Sequence, residues 1–135
     1  MTAQEFFKDD RFAVQAGVEL TEVSPGRARA CLRVGRQHLN AGGRTQGGAI
    51  FTLADLALAA AANSRGRLSF SLSASLTFLR GSGEGDTLWA EASERYTGRT
   101  TGYYQVDITN QRGELVAAFQ TSVFRMDCPV PFDLP

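Results

Sequence analysis

The fold is decided by residues 47–62, which have the sequence GGAIFTLADLALAAAA. Seven of these residues are alanine, which has the highest intrinsic helix propensity. Apolar side chains lie almost all round the predicted helix, and this pattern is typical of a helix buried inside a domain. The segment is slightly short for a membrane span and has an acid in its middle, so we expect no association with a membrane.

Strand patterns flank this helix on both sides. Residues 27–34 alternate strictly between apolar and polar side chains, which predicts a strand with one solvent-facing side. Later segments separated by glycine-containing turns predict four more strands, at residues 68–79, 87–97, 102–110 and 114–125. A short helix within residues 2–12 and a loosely alternating segment at 13–23 precede them. The order α–β–β–α–β–β–β–β predicts an α+β fold in which an antiparallel sheet wraps around one long buried helix.

Length and composition exclude several classes of protein. The chain has 135 residues and a net charge of zero, from 14 basic and 14 acidic residues. We therefore expect a single domain over residues 1–135, with neither nucleic acid nor an anionic membrane as a partner. The only histidine is His38, and no cysteine pair has ligand spacing, so we expect no metal. Two cysteines form no disulfide framework, and the first residues lack the apolar core of a signal peptide, so we expect a cytoplasmic protein.

Asp55 is the only acid between Glu22 and Glu84, and it lies in the middle of the most apolar helix. A buried carboxylate without a partner is costly, so this one must be paired, hydrogen-bonded, protonated or directed into a cleft. Perturbed acids are concentrated at functional sites. Asp55 is therefore a candidate catalytic residue, and the alternative is a satisfied structural Asp or a helix face that reaches solvent.

The start of the helix offers a second functional group. Asp55 shares a helical face with three upstream residues. These are Thr52, Phe51 and Gly48, at spacings of three, four and seven. Gly47 and Gly48 open the helix, where first-turn amides without partners lie at the positive end of the helix dipole. Such amides can polarise a carbonyl or hold an oxyanion, although a glycine pair at a helix start also has a simple packing interpretation.

The spacing has a consequence for assembly. Asp55 lies seven helical residues, or roughly 10 Å, beyond the glycine pair. The acid and the Gly47 amide of one chain therefore cannot both contact one small acyl group. If both act on one reaction, the acid of one subunit must meet the helix start of another, and a two-fold dimer would have two such composite sites.

Residues 38–55, HLNAGGRTQGGAIFTLAD, resemble the hot-dog-fold thioesterases, and most of all their PaaI-like, phenylacetate-degradation branch. That pattern has an Asn in a loop, then His-Gly-Gly, then Leu-Ala-Asp in the long helix. The matching residues here are Asn40, Gly47, Gly48, Leu53, Ala54 and Asp55. Weaker similarity extends from about residue 11 to residue 126.

The resemblance implies hydrolysis of an acyl-CoA thioester, with no cofactor because CoA is part of the substrate. Asp55 would be the nucleophile or the general base, the Gly47 amide would hold the thioester oxygen, and Asn40 would help to place the carbonyl or the water. Ser73 falls where some relatives have a serine that orients the water, although Ser71 and Ser75 flank it on the predicted strand.

The resemblance also implies where the substrate binds and how the chain assembles. Gly48 and Thr52 would line the substrate site, and Arg44 and Arg80 are candidates for contacts with the CoA phosphates. The family usually forms homotetramers, built as dimers of dimers with sites at the dimer interface. The acyl group stays open between aryl-acetyl, related aryl and medium-chain fatty acyl groups.

One position departs from the family pattern. Gln46 stands where the family has a histidine before Gly-Gly. Glutamine can form hydrogen bonds as a neutral imidazole does, but it cannot transfer a proton near neutral pH. This leaves open a hot-dog protein that binds acyl-CoA with little turnover. A hydratase or dehydratase needs a histidine paired with an acid, and His38 lies nine residues before the glycine pair, which disfavours that activity.

Overall fold

The computed structural model describes residues 1–135 and contains one six-stranded antiparallel sheet packed against one long helix. The helices are α1 (Ala3–Phe7), α2 (Arg11–Ala16) and α3 (Gly47–Asn63), and Arg36–His38 forms a short 3-10 turn. The strands are β1 (Glu19–Ser24), β2 (Arg27–Arg33), β3 (Arg67–Phe78), β4 (Thr87–Thr97), β5 (Thr101–Thr109) and β6 (Leu115–Pro129). The predicted α+β fold is confirmed.

The strand order β1-β2-β4-β5-β6-β3 makes α3 the crossover between the two halves of the sheet. The helix follows β2 in the chain, and the next strand, β3, lies at the far edge beside β6. The chain therefore crosses one face of the sheet through α3. β1 and β3 form the two edges, and every neighbouring pair is antiparallel.

Two boundaries differ from the sequence prediction. The first residues form two short helices instead of one, because the Asp10 side chain accepts a hydrogen bond from the Ala13 amide and begins α2. This helix includes residues 13–16 of the segment predicted to alternate, so β1 begins only at Glu19. Gly17, with a φ of 90°, ends that helix. The last strand continues to Pro129, which pairs with Arg67 at the start of β3.

Alanine lets α3 approach the sheet closely. Ala54, Ala57, Ala60 and Ala61 are fully buried, and Leu53 is buried beside them. Small side chains at a helix–sheet contact bring the two backbones close together and fill the space without voids. No helix in the chain is both long enough and apolar enough to cross a membrane.

One face of α3 is not covered by the sheet. Its partly exposed or exposed residues are Gly48, Phe51, Thr52, Asp55 and Ala59. This is the face that the sequence spacing predicts for Asp55 and the residues upstream of it. The Phe51 ring still reaches the sheet, where it meets Phe119 edge to face with ring centres 5.3 Å apart.

Asn63 fixes the end of α3 to the start of β3. Its side-chain oxygen accepts a hydrogen bond from the Ser69 amide at 2.9 Å, and its amide nitrogen donates to the carbonyls of Ala59 and Ser69. The residue is buried, so loss of the side chain would leave the Ser69 amide without its acceptor in a place that water does not reach.

Asn63→Ala should lower the free energy of unfolding by about 2–3 kcal/mol, because the buried Ser69 amide loses its acceptor and two carbonyls lose a donor. Urea unfolding at a fixed protein concentration measures this loss. Gln120→Ala is the matched control: Gln120 is exposed and its side chain forms no hydrogen bond, so a change within about 0.5 kcal/mol is expected. Equal losses in the two variants would contradict the assignment.

Candidate active site

The first turn of α3 leaves one backbone donor free. Gln46 is the N-cap residue, and its side-chain oxygen accepts the hydrogen bond of the Gly48 amide. The amides of Ala49 and Ile50 both donate to the Gln46 carbonyl. The Gly47 amide donates to no acceptor within the chain. Of the two glycine amides considered from the sequence, only that of Gly47 is available to a ligand at the positive end of the helix dipole.

Gly47 has a steric reason to be glycine. A Cβ at this position would lie 2.9 Å from Cζ of Phe78, at the end of β3. The aromatic ring therefore packs directly over the helix start. Any side chain here would displace the ring or the backbone that presents the amide.

Asn40 organises the loop before the helix. Its side-chain oxygen accepts hydrogen bonds from the amides of Gly42 and Arg44, at 2.9 and 3.1 Å. Its side-chain NH2 group forms no hydrogen bond within the chain. Asn40 therefore fixes the loop with one end of its amide and has the other end free for a ligand.

Two cavities flank the start of α3, and they divide the predicted site residues between them. The larger has a volume of about 620 Å³ and the smaller about 400 Å³. Gln46, Gly48 and Thr52 line the larger cavity, together with Phe51. The smaller cavity is lined by Asn40, Arg44, Gly47 and Arg80, together with Phe78.

The smaller cavity contains the cations and the free donors. Arg44 forms no ion pair within the chain, and Arg80 forms an exposed one with Glu114 at 3.4 Å. Exposed ion pairs of this kind contribute little to stability, so both guanidinium groups are available to an anionic ligand. Arginine suits phosphate groups because its planar fork of donors matches their oxygens.

Asp55 has no partner within the chain. It forms no hydrogen bond and no ion pair, and it lies on the uncovered face of α3 outside both cavities. Burial of the carboxyl raises its pKa, and the negative charge of Asp10 adds to the rise. A carboxylate with a raised pKa is a stronger base than an ordinary one, as general-base catalysis near neutral pH requires.

The structure places Ser73 on the face of the sheet opposite α3. A bulge between Ser71 and Ser73 changes which residues of β3 face the helix. Ser73 pairs with Ser122, and their hydroxyl oxygens lie 3.1 Å apart on the face of the sheet away from α3. Ser71 instead pairs with the buried Val123, on the helix side. Ser73 therefore points away from Asp55 of its own chain, and Ser71 does not share its face.

His38 lies beside Gln46 in the wall of the larger cavity, but its ring is occupied. Nδ1 accepts from the Gly35 amide at 2.9 Å, and Nε2 meets the Ala16 carbonyl. Both ring nitrogens are therefore engaged within the chain, and His38 offers no free nitrogen to a substrate. No group of three or more His, Cys, Asp or Glu side chains in the chain could hold a metal ion.

No local sequence pattern indicates part of the wall of the larger cavity. Phe12 and Gln15 from α2 and Gln37 from the 3-10 turn line it, and none of them was a candidate. Phe12 is 73% exposed, which is unusual for so large an apolar side chain. The place of Phe12 in the cavity wall follows from the packing of α2 beside the start of α3, and this packing is not encoded in a local sequence pattern.

The sequence is similar to those of known proteins. The sequence pattern of the thioesterase superfamily matches residues 42–117. A putative esterase of Archaeoglobus fulgidus is 34% identical over 125 residues, which are 93% of this chain and 81% of that protein. The acyl-coenzyme A thioesterase PaaI of Escherichia coli is 35% identical over 124 residues, which are 92% of this chain and 89% of that protein.

Solved structures show the same similarity. The E. coli PaaI protein from the phenylacetic acid degradation operon superposes with a TM-score of 0.91 at 34% identity, covering 95% of this chain and 93% of that one. A Streptococcus mutans protein solved with bound acetyl-CoA superposes with a TM-score of 0.80 at 28% identity, covering 84% and 91%. The chain therefore belongs to the thioesterase superfamily as a PaaI-like hot-dog thioesterase, an enzyme that hydrolyses thioesters.

Proposed function

We propose that the protein hydrolyses aryl- or medium-chain acyl-CoA thioesters to the free acid and CoA, without a cofactor. The observation that supports this most directly is the unpaired carboxylate of Asp55 on the one uncovered face of α3. The free Gly47 amide at the start of the same helix supplies the complementary electrophilic group. A base and an oxyanion donor are the two groups that acyl transfer to water needs.

The chemistry follows from these two groups. The Gly47 N–H donates to the thioester oxygen and stabilises the negative charge that develops there. Asp55 removes a proton from water, whose oxygen attacks the carbonyl carbon, and the C–S bond then breaks to release the CoA thiolate. In the other route Asp55 attacks the carbon itself, and water hydrolyses the resulting anhydride. The NH2 group of Asn40 helps to place the carbonyl or the water.

The two groups act from different subunits in this proposal. About 12 Å of helix rise separates Gly47 from Asp55 in one chain. The edge strand β3 also has Phe70 and Leu72 56% and 60% exposed, and exposed apolar side chains on an open strand edge favour pairing with another chain. We propose a dimer formed along β3 and, by family resemblance, a homotetramer made of two such dimers, with the sites at the dimer interface.

The two cavities suit the two ends of the substrate. The acyl group fits the larger cavity, between Phe51 and Thr52 of α3 and the residues of α2, since acyl pockets are mostly apolar with a few polar groups. The CoA phosphates lie near Arg44 and Arg80. Acetyl-CoA bound by the similar S. mutans protein supports a CoA ester as the ligand.

The setting in the cell is part of the same proposal. Cys31 and Cys128 are both free thiols, which suits the reducing cytoplasm. Similarity to a protein of the phenylacetic acid degradation operon favours a role in the breakdown of phenylacetate-type compounds.

A second candidate function is binding of acyl-CoA with little turnover. Gln46 favours it, because this side chain caps the helix and cannot transfer a proton near neutral pH. Release of free thiol from a panel of aryl- and alkyl-CoA thioesters decides between the two functions. Turnover of any member supports hydrolysis, whereas binding to all members without thiol release supports the second candidate.

Asp55→Asn should lower kcat by at least about a hundredfold, because the isosteric amide cannot act as base or nucleophile.

The Asp55→Asn variant should also unfold at a higher urea concentration than wild type at pH 7. The pKa of Asp55 is raised in the folded state, so wild-type stability falls as pH rises from the ordinary Asp range through that pKa. The gain of the variant should vanish below about pH 4, where both forms are neutral. Asp107→Asn, on an exposed position of β5, is the control for both measurements.

Asp10→Asn should move the acid limb of the pH–rate profile to lower pH. The negative charge of Asp10 contributes to the raised pKa of Asp55, and the asparagine removes that charge while it still caps α2. The profile of kcat/KM against pH, measured on wild type and variant, checks this. An unchanged acid limb would mean that a group other than Asp55 controls it.

Mixing two inactive variants should restore activity if the site is shared. Gly47→Ala displaces the ring of Phe78 and the donor amide, and Asp55→Asn removes the base. Unfolded together and refolded at equal amounts, the two should recover about a quarter of wild-type activity, since half of the dimers are mixed and each has one intact site. Gly83→Ala, which meets no atom within 4 Å, should stay fully active. No recovery, with mixed dimers detected, would place both groups in one subunit.

A further inference from the structure

The larger cavity has walls from two separate parts of the chain. Phe12, Gln15 and Ala16 of α2 form one wall, and residues between Gln37 and Thr52 form the other. α2 has only six residues, and Phe12 contributes little to its anchoring because most of that ring is exposed. The shape of the cavity therefore depends on whatever holds the end of α2 against the start of α3.

His38 makes that connection. The side chain is only 6% exposed. Nδ1 accepts a hydrogen bond from the Gly35 amide, so the ring proton is on Nε2, which donates to the Ala16 carbonyl. Ala16 is the last residue of α2, and its carbonyl has no other donor within the chain. Carbonyls at helix ends need such a partner.

The backbone of His38 also contacts the residue that caps α3. The His38 carbonyl accepts a hydrogen bond from the Gln46 amide at 2.7 Å. Gln46 in turn caps α3 through its side chain. One residue thus joins the end of α2, the 3-10 turn and the N-cap of α3, all within the wall of one cavity.

We propose that His38 is a positioning residue that fixes the α2 wall of the acyl cavity and so determines how tightly a bulky acyl group is held. The inference rests on the proposed function, which assigns the acyl group to this cavity. Without the bond to Ala16, α2 is held mainly by the packing of the buried Ala13, so the wall that α2 forms with the Phe12 ring shifts. Large acyl groups then lose a wall, whereas the smallest acyl groups, which do not reach α2, lose nothing.

Two amide variants separate the two ring contacts. An Asn side-chain oxygen occupies the place of Nδ1 and retains the bond from Gly35, but Asn cannot reach Ala16. A Gln side-chain nitrogen occupies the place of Nε2 and retains the bond to Ala16. His38→Asn should therefore raise KM for phenylacetyl- or octanoyl-CoA about tenfold, because the displaced wall no longer packs against a large acyl group.

The control substrate and the rescue variant sharpen this test. With the shortest acyl-CoA that the enzyme hydrolyses, KM and kcat of His38→Asn should stay within about twofold of wild type. His38→Gln should retain wild-type KM for the large substrates. An equal loss on short and large substrates, or a His38→Gln variant as impaired as His38→Asn, would overturn the proposal.

Two further measurements extend the test, and the first of them needs no variant. The chain has one histidine, so a long-range ¹H–¹⁵N spectrum of the wild type contains one imidazole, which should carry its proton on Nε2 at pH 7. A proton on Nδ1 would overturn the proposal.

The second measurement is a double variant. Phe12→Ala should raise KM for the large substrates, and the addition of His38→Asn should raise it no further, because both substitutions act through one wall. Full additivity would overturn the proposal, while thiol release by wild type would still support the hydrolase.

Discussion

The close contact between α3 and the sheet is the constraint on which the rest of the structure depends. Alanines such as Ala54, Ala57 and Ala61 bring the helix backbone against the strands, and no larger residue would fit there without displacing them. A sheet covers only one side of a helix that lies so close to it. The opposite side, with Asp55 near its middle, is left without a partner from its own chain, and burial of that carboxyl costs stability.

The uncovered face of α3 and the open edge of the sheet at β3 can both be covered by a second copy of the chain. β3 has apolar side chains such as Phe70 exposed at one edge of the sheet, and α3 has an unpartnered carboxylate. A second copy of the chain would pair with the edge and cover the helix face in one step. Under this proposal, assembly and catalysis depend on the same surfaces, because the base and the oxyanion donor of one chain are too far apart to act together.

Patterns of neighbouring residues predicted most of the fold and the main candidate, but not every orientation at the site. The alanine-rich composition predicted α3 to within one residue of its end, and the isolation of Asp55 among apolar residues predicted an exceptional carboxylate. Strand alternation places Ser71 on the same face as Ser73, and a bulge in β3 breaks that alternation. The hydrogen bond of the Gly48 amide depends on the side-chain conformation of Gln46. The position of Phe12 in the cavity wall depends on tertiary packing. Neither property is local in sequence.

The glutamine at position 46 is easier to reconcile with a thioesterase than with most hydrolases. Neither cavity contains a side chain free to transfer a proton, since His38 is engaged at both ring nitrogens. An amine or an alkoxide would need such an acid in order to leave. A thiol has an ordinary pKa near 8.5, so a thiolate departs near neutral pH with little need for protonation. Under the proposed mechanism Asp55 suffices as the single base. Gln46 then needs only to cap the helix that presents Gly47.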